Sequence, residues 1–214
     1  MQLPTGTTYS VASALGTAKA TTIVTNASEA VVTSTGHGYA NGDYVIISSG
    51  WGRLNDSGWR IKSIATDTFV LEGCDTTSTE FFPVGSGIGS VKKVTTFTQV
   101  TTIMNPQASG GEPQSVEVKI LESDVRFSIN DGFSAISESF DIDADTIGTA
   151  GYTALKALSS VQTVTLLKKN LRSGSIIITP GKIALNENPK LNEGAVVSCA
   201  VAFNATNRVT RYAS

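Results

Sequence analysis

The apolar and polar positions of this chain alternate in short runs rather than in helical stripes. Trp59-Arg60-Ile61-Lys62-Ser63-Ile64 places Trp59, Ile61 and Ile64 near one face with a period of two. Thr22–Thr25, Ala30–Thr33, Tyr44–Ile47 and Asp67–Leu71 are further strand-like runs. Between them stand Asn26-Ala27-Ser28-Glu29 and the turn Asn41-Gly42-Asp43, where Asn and Gly both tolerate positive φ. Gly50-Trp51-Gly52 opens a loop that ends at Gly58, and Gly85 to Val91 closes the unit. Strands this short, at this spacing, predict a small barrel or sandwich over residues 21–94.

The second half carries longer runs. Lys92 to Ile103 is β in character, and Val116, Val118 and Ile120 alternate with Glu117, Lys119 and Leu121. Asn105 to Gln114 holds two prolines and two glycines and reads as a long flexible loop. Asp124–Ile129 and Ala135–Ile142 read as strands joined by the turn Asn130-Asp131-Gly132. One helix is predicted near 149–160, capped by Asp145 or Thr149, with Tyr152, Leu155 and Leu158 on its apolar side. Strands follow at Thr163–Lys168, Ser175–Thr179 and Ala195–Phe203, with a last one at Arg208–Tyr212. Lys182 to Asn192 reads as a loop. Residues 1–20 read as an arm, ordered where something covers it, such as a neighbouring subunit.

Composition agrees with a mainly β protein. Among 214 residues, 40% are hydrophobic and 20 are glycine, so core material and turn residues are both plentiful. Sixteen basic and 18 acidic residues leave a net charge of −2, which disfavours a protein that neutralises phosphates. No apolar run approaches the roughly 18 residues of a membrane-spanning helix, so no membrane partner is expected. Met1 to Ala20 has no basic stretch before an apolar one, so a secretory signal is not expected.

Candidate chemistry is sparse. His37 sits in Gly36-His37-Gly38-Tyr39 with no nucleophile motif to serve, and reads as a structural turn residue. Gly85-Ser86-Gly87-Ile88-Gly89 leads into a strand and not a helix, so it reads as a tight β-connection and not a phosphate loop. Asp141-x-Asp143-x-Asp145, with Glu138 nearby, opens like a calcium loop. The sixth and twelfth positions are Thr146 and Tyr152 where glycine and glutamate are required. Two cysteines and one histidine leave little for a transition metal, so no cofactor, metal or catalytic residue is expected. Trp51, Trp59, Phe69, Phe81 and Phe82 suit a small barrel core, or else a sugar-binding platform if their rings are exposed.

Gly36-His37-Gly38-Tyr39-Ala40-Asn41-Gly42-Asp43-Tyr44-Val45, Leu54-Asn55, Thr68-Phe69-Val70-Leu71 and Asp75-Thr76-Thr77 together resemble a small β-barrel module. It is similar to the first catalytic cysteine half-domain of ubiquitin-activating enzymes, and it recurs in phage tail proteins. The resemblance implies no catalytic role for Cys74 in that setting. With Leu3-Pro4-Thr5-Gly6-Thr7-Thr8 and Asn192-Glu193-Gly194-Ala195-Val196-Val197, the whole chain resembles a long-tailed bacteriophage major tail tube protein.

That resemblance implies a structural virion protein and no enzyme. Its fold would be a tail-tube-type β-sandwich or barrel with one flanking helix. It implies hexameric rings stacked into a conduit for DNA, around a tape measure protein and between tail terminator and baseplate proteins. The location implied is the virion tail, and the host cytoplasm during assembly. Residues 95–214 are then the tube-forming domain, and the 21–94 barrel lies on the exterior. A bore that passes DNA should repel phosphates, so the candidate lining acids are Glu117, Glu122, Asp124, Asp131, Glu138, Asp141 and Glu193. The candidate contacts between subunits are Leu3, Pro4, Pro106, Lys168, Lys169 and Arg172. Lys168, Lys169 and Arg172 are expected to pair with acids of a neighbour. The competing reading is a carbohydrate-binding or adhesion module built from the barrel, which requires exposed Trp51 and Trp59. A hydrolase ranks third, because no acid/base pair stands out.

Overall fold

A computed structural model describes residues 5–122 and 124–213. The first strands in chain order are β1 (Thr8–Leu15), β2 (Lys19–Thr21), β3 (Ile23–Val24), β4 (Val31–Thr33), β5 (Tyr44–Ser49), β6 (Ser57–Lys62) and β7 (Thr68–Leu71). The long β8 (Gly89–Val100) follows, then β9 (Ile103–Ser109), β10 (Pro113–Val118), β11 (Phe127–Phe133) and β12 (Ser137–Asp143). After a 3-10 turn at Ala144–Thr146 come α1 (Ala150–Val161), β13 (Thr165–Asn170), β14 (Ile176–Leu185), β15 (Ser198–Ala205) and β16 (Thr210–Tyr212).

Fourteen strands belong to one sheet, ordered β3-β4-β7-β6-β5-β8-β1-β13-β14-β15-β12-β9, with β2 on β8 and β16 on β14. All of its pairings are antiparallel, as the period-two patterning predicts. The sheet closes over two cores. Val32, Trp51, Phe69 and Leu71 centre the barrel core, and Val11, Phe140, Leu155 and Phe203 centre the other. A third cluster welds the two bodies, with Tyr44 and Ile46 from the barrel against Ala12, Leu166, Ile178 and Tyr212. Gly58 is required at this weld, since a Cβ there would meet Leu166 Cδ2 at 2.5 Å.

The helix forms where it was expected. Thr149 caps it, its hydroxyl accepting from the Tyr152 N–H at 3.3 Å. Gln162, in the left-handed conformation, ends it and donates to Leu158 O. Tyr152 and Leu155 face the core.

Several local expectations are corrected by long-range pairing. Residues 8–15 are no arm: β1 lies between β8 and β13, and Val11 and Ala12 are fully buried within the subunit. The apolar positions of β1 are covered by this chain's own strands, so no neighbour is needed to order them. β8 runs without a break through position 94/95, pairing with β5 over Gly89–Lys93 and with β1 over Val94–Val100. The segment 105–114 is largely strand, not loop. β9 pairs with β12, and Pro106 falls where the register shifts, at a position that requires no ladder N–H. Asn130-Asp131-Gly132 makes a bulge inside β11, not a turn: Gln114 faces Gly132 while Ser115 faces Asn130. β14 continues through Pro180 to Leu185, into the stretch read as a loop, because β15 pairs with Gly181–Leu185.

Candidate assembly surfaces

The last four strands of the sheet, β14-β15-β12-β9, bury one face and leave the other open. Along β12, Glu138, Phe140 and Ile142 point inward while Ser139 and Asp141 point outward. Registered rows cross the open face. Ser109, Ser137, Asn204 and Lys182 form one row, and Gln107, Ser139, Ala202 and Ala184 form the next. This face is flat, short in side chain and nearly neutral.

Two margins of the sheet lack a strand partner among the described residues. One is the outer edge of β9, which ends the strand order. The other is β8 beyond Lys93, which pairs only on its β1 side. Each presents backbone donors and acceptors able to pair with another chain.

From the β9–β12 end a separate two-stranded ribbon projects, made of β10 and β11. Gly110 makes its root possible: its φ is +86°, and a Cβ there would sit 1.9 Å from Ala135 O. Val116 stands opposite Ile129 and Val118 opposite Phe127, so these four share one face. The other face carries Ser115, Glu117, Ser128 and Asn130. Val116, Phe127 and Ile129 are each about half exposed, with Phe133 and a fully exposed Leu121 nearby. An amphipathic ribbon with its apolar face in water has little stability alone, since two strands bury too little.

The seven acids named from the sequence part company here. Glu117, Glu122, Asp124 and Asp131 are exposed on the ribbon and its tip, and Glu117 pairs loosely with Arg126 at 3.2 Å. Asp141 stands on the open face, bonded to Lys190 at 2.7 Å. Glu193 is exposed in the loop between β14 and β15. Glu138 is corrected: it is buried, 6% exposed, and faces the core, not the surface. Its Oε2 accepts from Lys169 Nζ at 2.7 Å, and its Oε1 accepts from the Thr179 hydroxyl at 2.9 Å. The curl of the sheet brings β12, β13 and β14 together around it. Its charge also helps to raise the Tyr9 phenol, after burial, which is the larger cause.

The proposed intermolecular cations are likewise engaged within the chain. Lys169 serves Glu138, so its expected pairing with a neighbour's acid is replaced by an internal one. The Lys168 ammonium lies 4.8 Å and 5.2 Å from the Tyr44 and Phe97 ring centres, in the weld between the two bodies. Desolvation there lowers its pKa, with Arg60 as the second cause. Arg172 is exposed at the β13–β14 turn, its stem lying beside Gly6. Pro106 is exposed on the β9 margin. Leu3 and Pro4 lie outside the described residues.

In the barrel, His37 is buried. Its Nδ1 accepts from the Tyr39 N–H at 3.0 Å and its Nε2 reaches Ala65 O at 3.0 Å, so it pins a turn. Trp51 is 1% exposed, packs edge-on against Phe82, and donates to Pro83 O at 2.7 Å. The sugar-platform reading needed this ring at the surface, and it is core. Trp59 is half-buried.

Cys74 is buried, and burial pushes its thiol up to about 12, with the Asp75 charge adding to the shift. It therefore stays protonated throughout the range in which thiolate chemistry operates. At pH 8 a disulfide reagent is expected to leave Cys74 and the buried Cys199 unmodified in the native protein and to react with both in urea. Rapid labelling of Cys74 in the folded protein would contradict this.

A sequence profile of the phage tail tube protein family matches residues 49–214. No curated protein matches the chain. Two solved chains are similar in outline, one from the virion of a native gene transfer agent particle and one from the tail of an empty particle refined with C6 symmetry. Each is 16% identical with a TM-score of 0.43, over 55% of this chain and 89% and 87% of theirs. The profile match runs from the end of β5 through the open-faced sheet, the ribbon and the helix to the last residue, and on that ground the chain belongs to the phage tail tube protein family.

Proposed function

We propose that copies of this tail tube subunit close side to side into hexameric rings and stack end to end into the conduit for phage DNA. The observation that carries this is the projecting ribbon, whose apolar face is left in water by its own subunit. A tube needs heterologous contacts, in which one surface meets a different surface of the next copy. The margins of β8 and β9 suit lateral closure by strand pairing, and Pro106 stands on one of them. The ribbon suits the axial contact between rings. Arg172, at an exposed turn, is the remaining cation free to meet a neighbour.

In this arrangement the open face of β14-β15-β12-β9 forms the bore. Its short Ala, Ser and Gln side chains offer phosphates nothing to hold, and Asp141 adds a carboxylate. On the ribbon Glu117, Glu122, Asp124 and Asp131 outnumber Lys119 and Arg126, so the ring-to-ring seam repels polyanions as well. Glu193 sits at the opposite end of the sheet. The tube-forming body is β1 together with residues 95–214, and the barrel of residues 21–94 projects outside. A tape measure protein would occupy the bore before DNA, with tail terminator and baseplate proteins at the two ends. Subunits would assemble in the host cytoplasm and end in the virion tail.

Electron microscopy of the purified subunit at rising concentration tests this. Rings or tubes with a central hole are expected. A monodisperse monomer at every concentration and salt would overturn it.

A further inference from the structure

The barrel surface carries a cleft that tube formation does not use. It has a volume of about 490 Å³ and lies between the barrel and the C-terminal segment around β16. A second cleft of about 290 Å³ adjoins it, and Trp59, Gly73, Val209 and Thr210 line both. Trp59 therefore stands at the join. Its indole Nε1 donates to Ser57 Oγ at 2.7 Å, and its ring packs partly on the barrel core, so its orientation is set in advance.

The polar rim is charged but compensated. Glu29 pairs with Lys62 at 2.7 Å, and Glu72 takes a bidentate pair from Arg60 at 2.5 and 2.7 Å. The Arg53 guanidinium lies flat on Phe81, 3.3 Å from the ring centre. Paired in this way, these groups keep spare lone pairs and N–H edges while presenting little unbalanced charge. That combination disfavours a phosphate or polyanion. An added peptide strand is also disfavoured, because the β6 edge is taken: Thr210 Oγ donates to Gly58 O at 3.2 Å and the Arg60 N–H donates to Tyr212 Oη at 2.8 Å. A preset aromatic face beside fixed donors and acceptors of both kinds suits a neutral polyhydroxyl ligand. Its C–H face would lie on the indole and its hydroxyls would meet the rim.

We propose that this cleft is a saccharide-binding site, with Trp59 as the stacking platform and Lys62 on the rim. The proposal is independent of the tube reading, since it concerns the opposite side of the fold.

The chain has two tryptophans, and Trp51 is buried, so fluorescence quenching by acrylamide reports chiefly on Trp59. The probes are soluble oligosaccharides of hexose and N-acetylhexosamine, titrated against the assembled protein. At least one is expected to shield Trp59. Its affinity should fall about tenfold in Trp59→Phe, which keeps the packing but shrinks the platform. It should fall further in Lys62→Ala combined with Trp59→Phe, while tubes seen by microscopy are unchanged. The proposal is overturned if no oligosaccharide of the panel binds, or if binding survives both substitutions. It is equally overturned if assembly alone shields Trp59, since the occupant would then be another copy of this chain.

Discussion

Replacing Lys169 with methionine is expected to destabilise the subunit by about 3–5 kcal/mol, the usual cost of leaving a buried charge without its partner. Glu138 would keep one hydrogen bond, from the Thr179 hydroxyl, and lose the cation that neutralises it. The Lys169 and Glu138 side chains are 13% and 6% exposed, so water cannot substitute for the missing ammonium. Adding Glu138→Gln should recover most of the loss, because the amide needs no counter-charge. The same change at an exposed pair such as Lys156 and Glu187 should cost about 1 kcal/mol or less. Urea unfolding below the concentration of assembly measures each value. A loss under about 1 kcal/mol for Lys169→Met would mean that the pair is hydrated and plays no part in closing the sheet.

Charging the apolar face of the ribbon is expected to abolish stacking while leaving the subunit folded. Val116→Lys with Ile129→Glu is the informative pair, because the two residues stand directly opposite one another. Opposite charges there retain a favourable cross-strand contact, so the ribbon itself is not selectively unpaired. What changes is the face offered to the next ring, where each covered aliphatic side chain contributes about 1.5–3 kcal/mol. Both positions are more than half exposed in the lone subunit, so its unfolding free energy should move by roughly 0.5 kcal/mol or less. Microscopy should then show single rings or monomers at concentrations where the unmodified protein forms tubes. Tubes of ordinary length from this variant would remove the ribbon from the axial contact, whatever became of the lateral one.

These two sites were legible in the sequence to different degrees. Alternation of Val116, Val118 and Ile120 with polar residues marked a strand with one apolar face, and it is one. The pattern could not show that the strand pairs only with β11 and leaves that face uncovered. Glu138 was grouped with Asp141 as surface acids on the same strand. Period two separates them onto opposite faces, and that signal was available: Phe140 and Ile142 share parity with Glu138, which marks it as inward. What the pattern could not supply was the partner, since Lys169 is 31 residues away and meets it only because the sheet curls. Trp51 and Trp59 likewise looked equivalent, yet one ring fills a core and the other lines a cleft.

Local chemistry along the chain determined the β class, the turn at Asn41-Gly42-Asp43, the helix with its Thr149 cap and the absence of a recognisable catalytic set. Those are decided by side-chain shape, φ preference and neighbours a few residues apart, all of which a linear pattern records. Tertiary pairing decided that residues 8–15 are a central strand, that Asn130-Asp131-Gly132 is a bulge, and that β8 joins both bodies. It also decided which acid is core and which strand margins are left without a partner. Each of those depends on contacts between segments distant in sequence, whose free energy appears only when the sheet has curled and buried one of its faces.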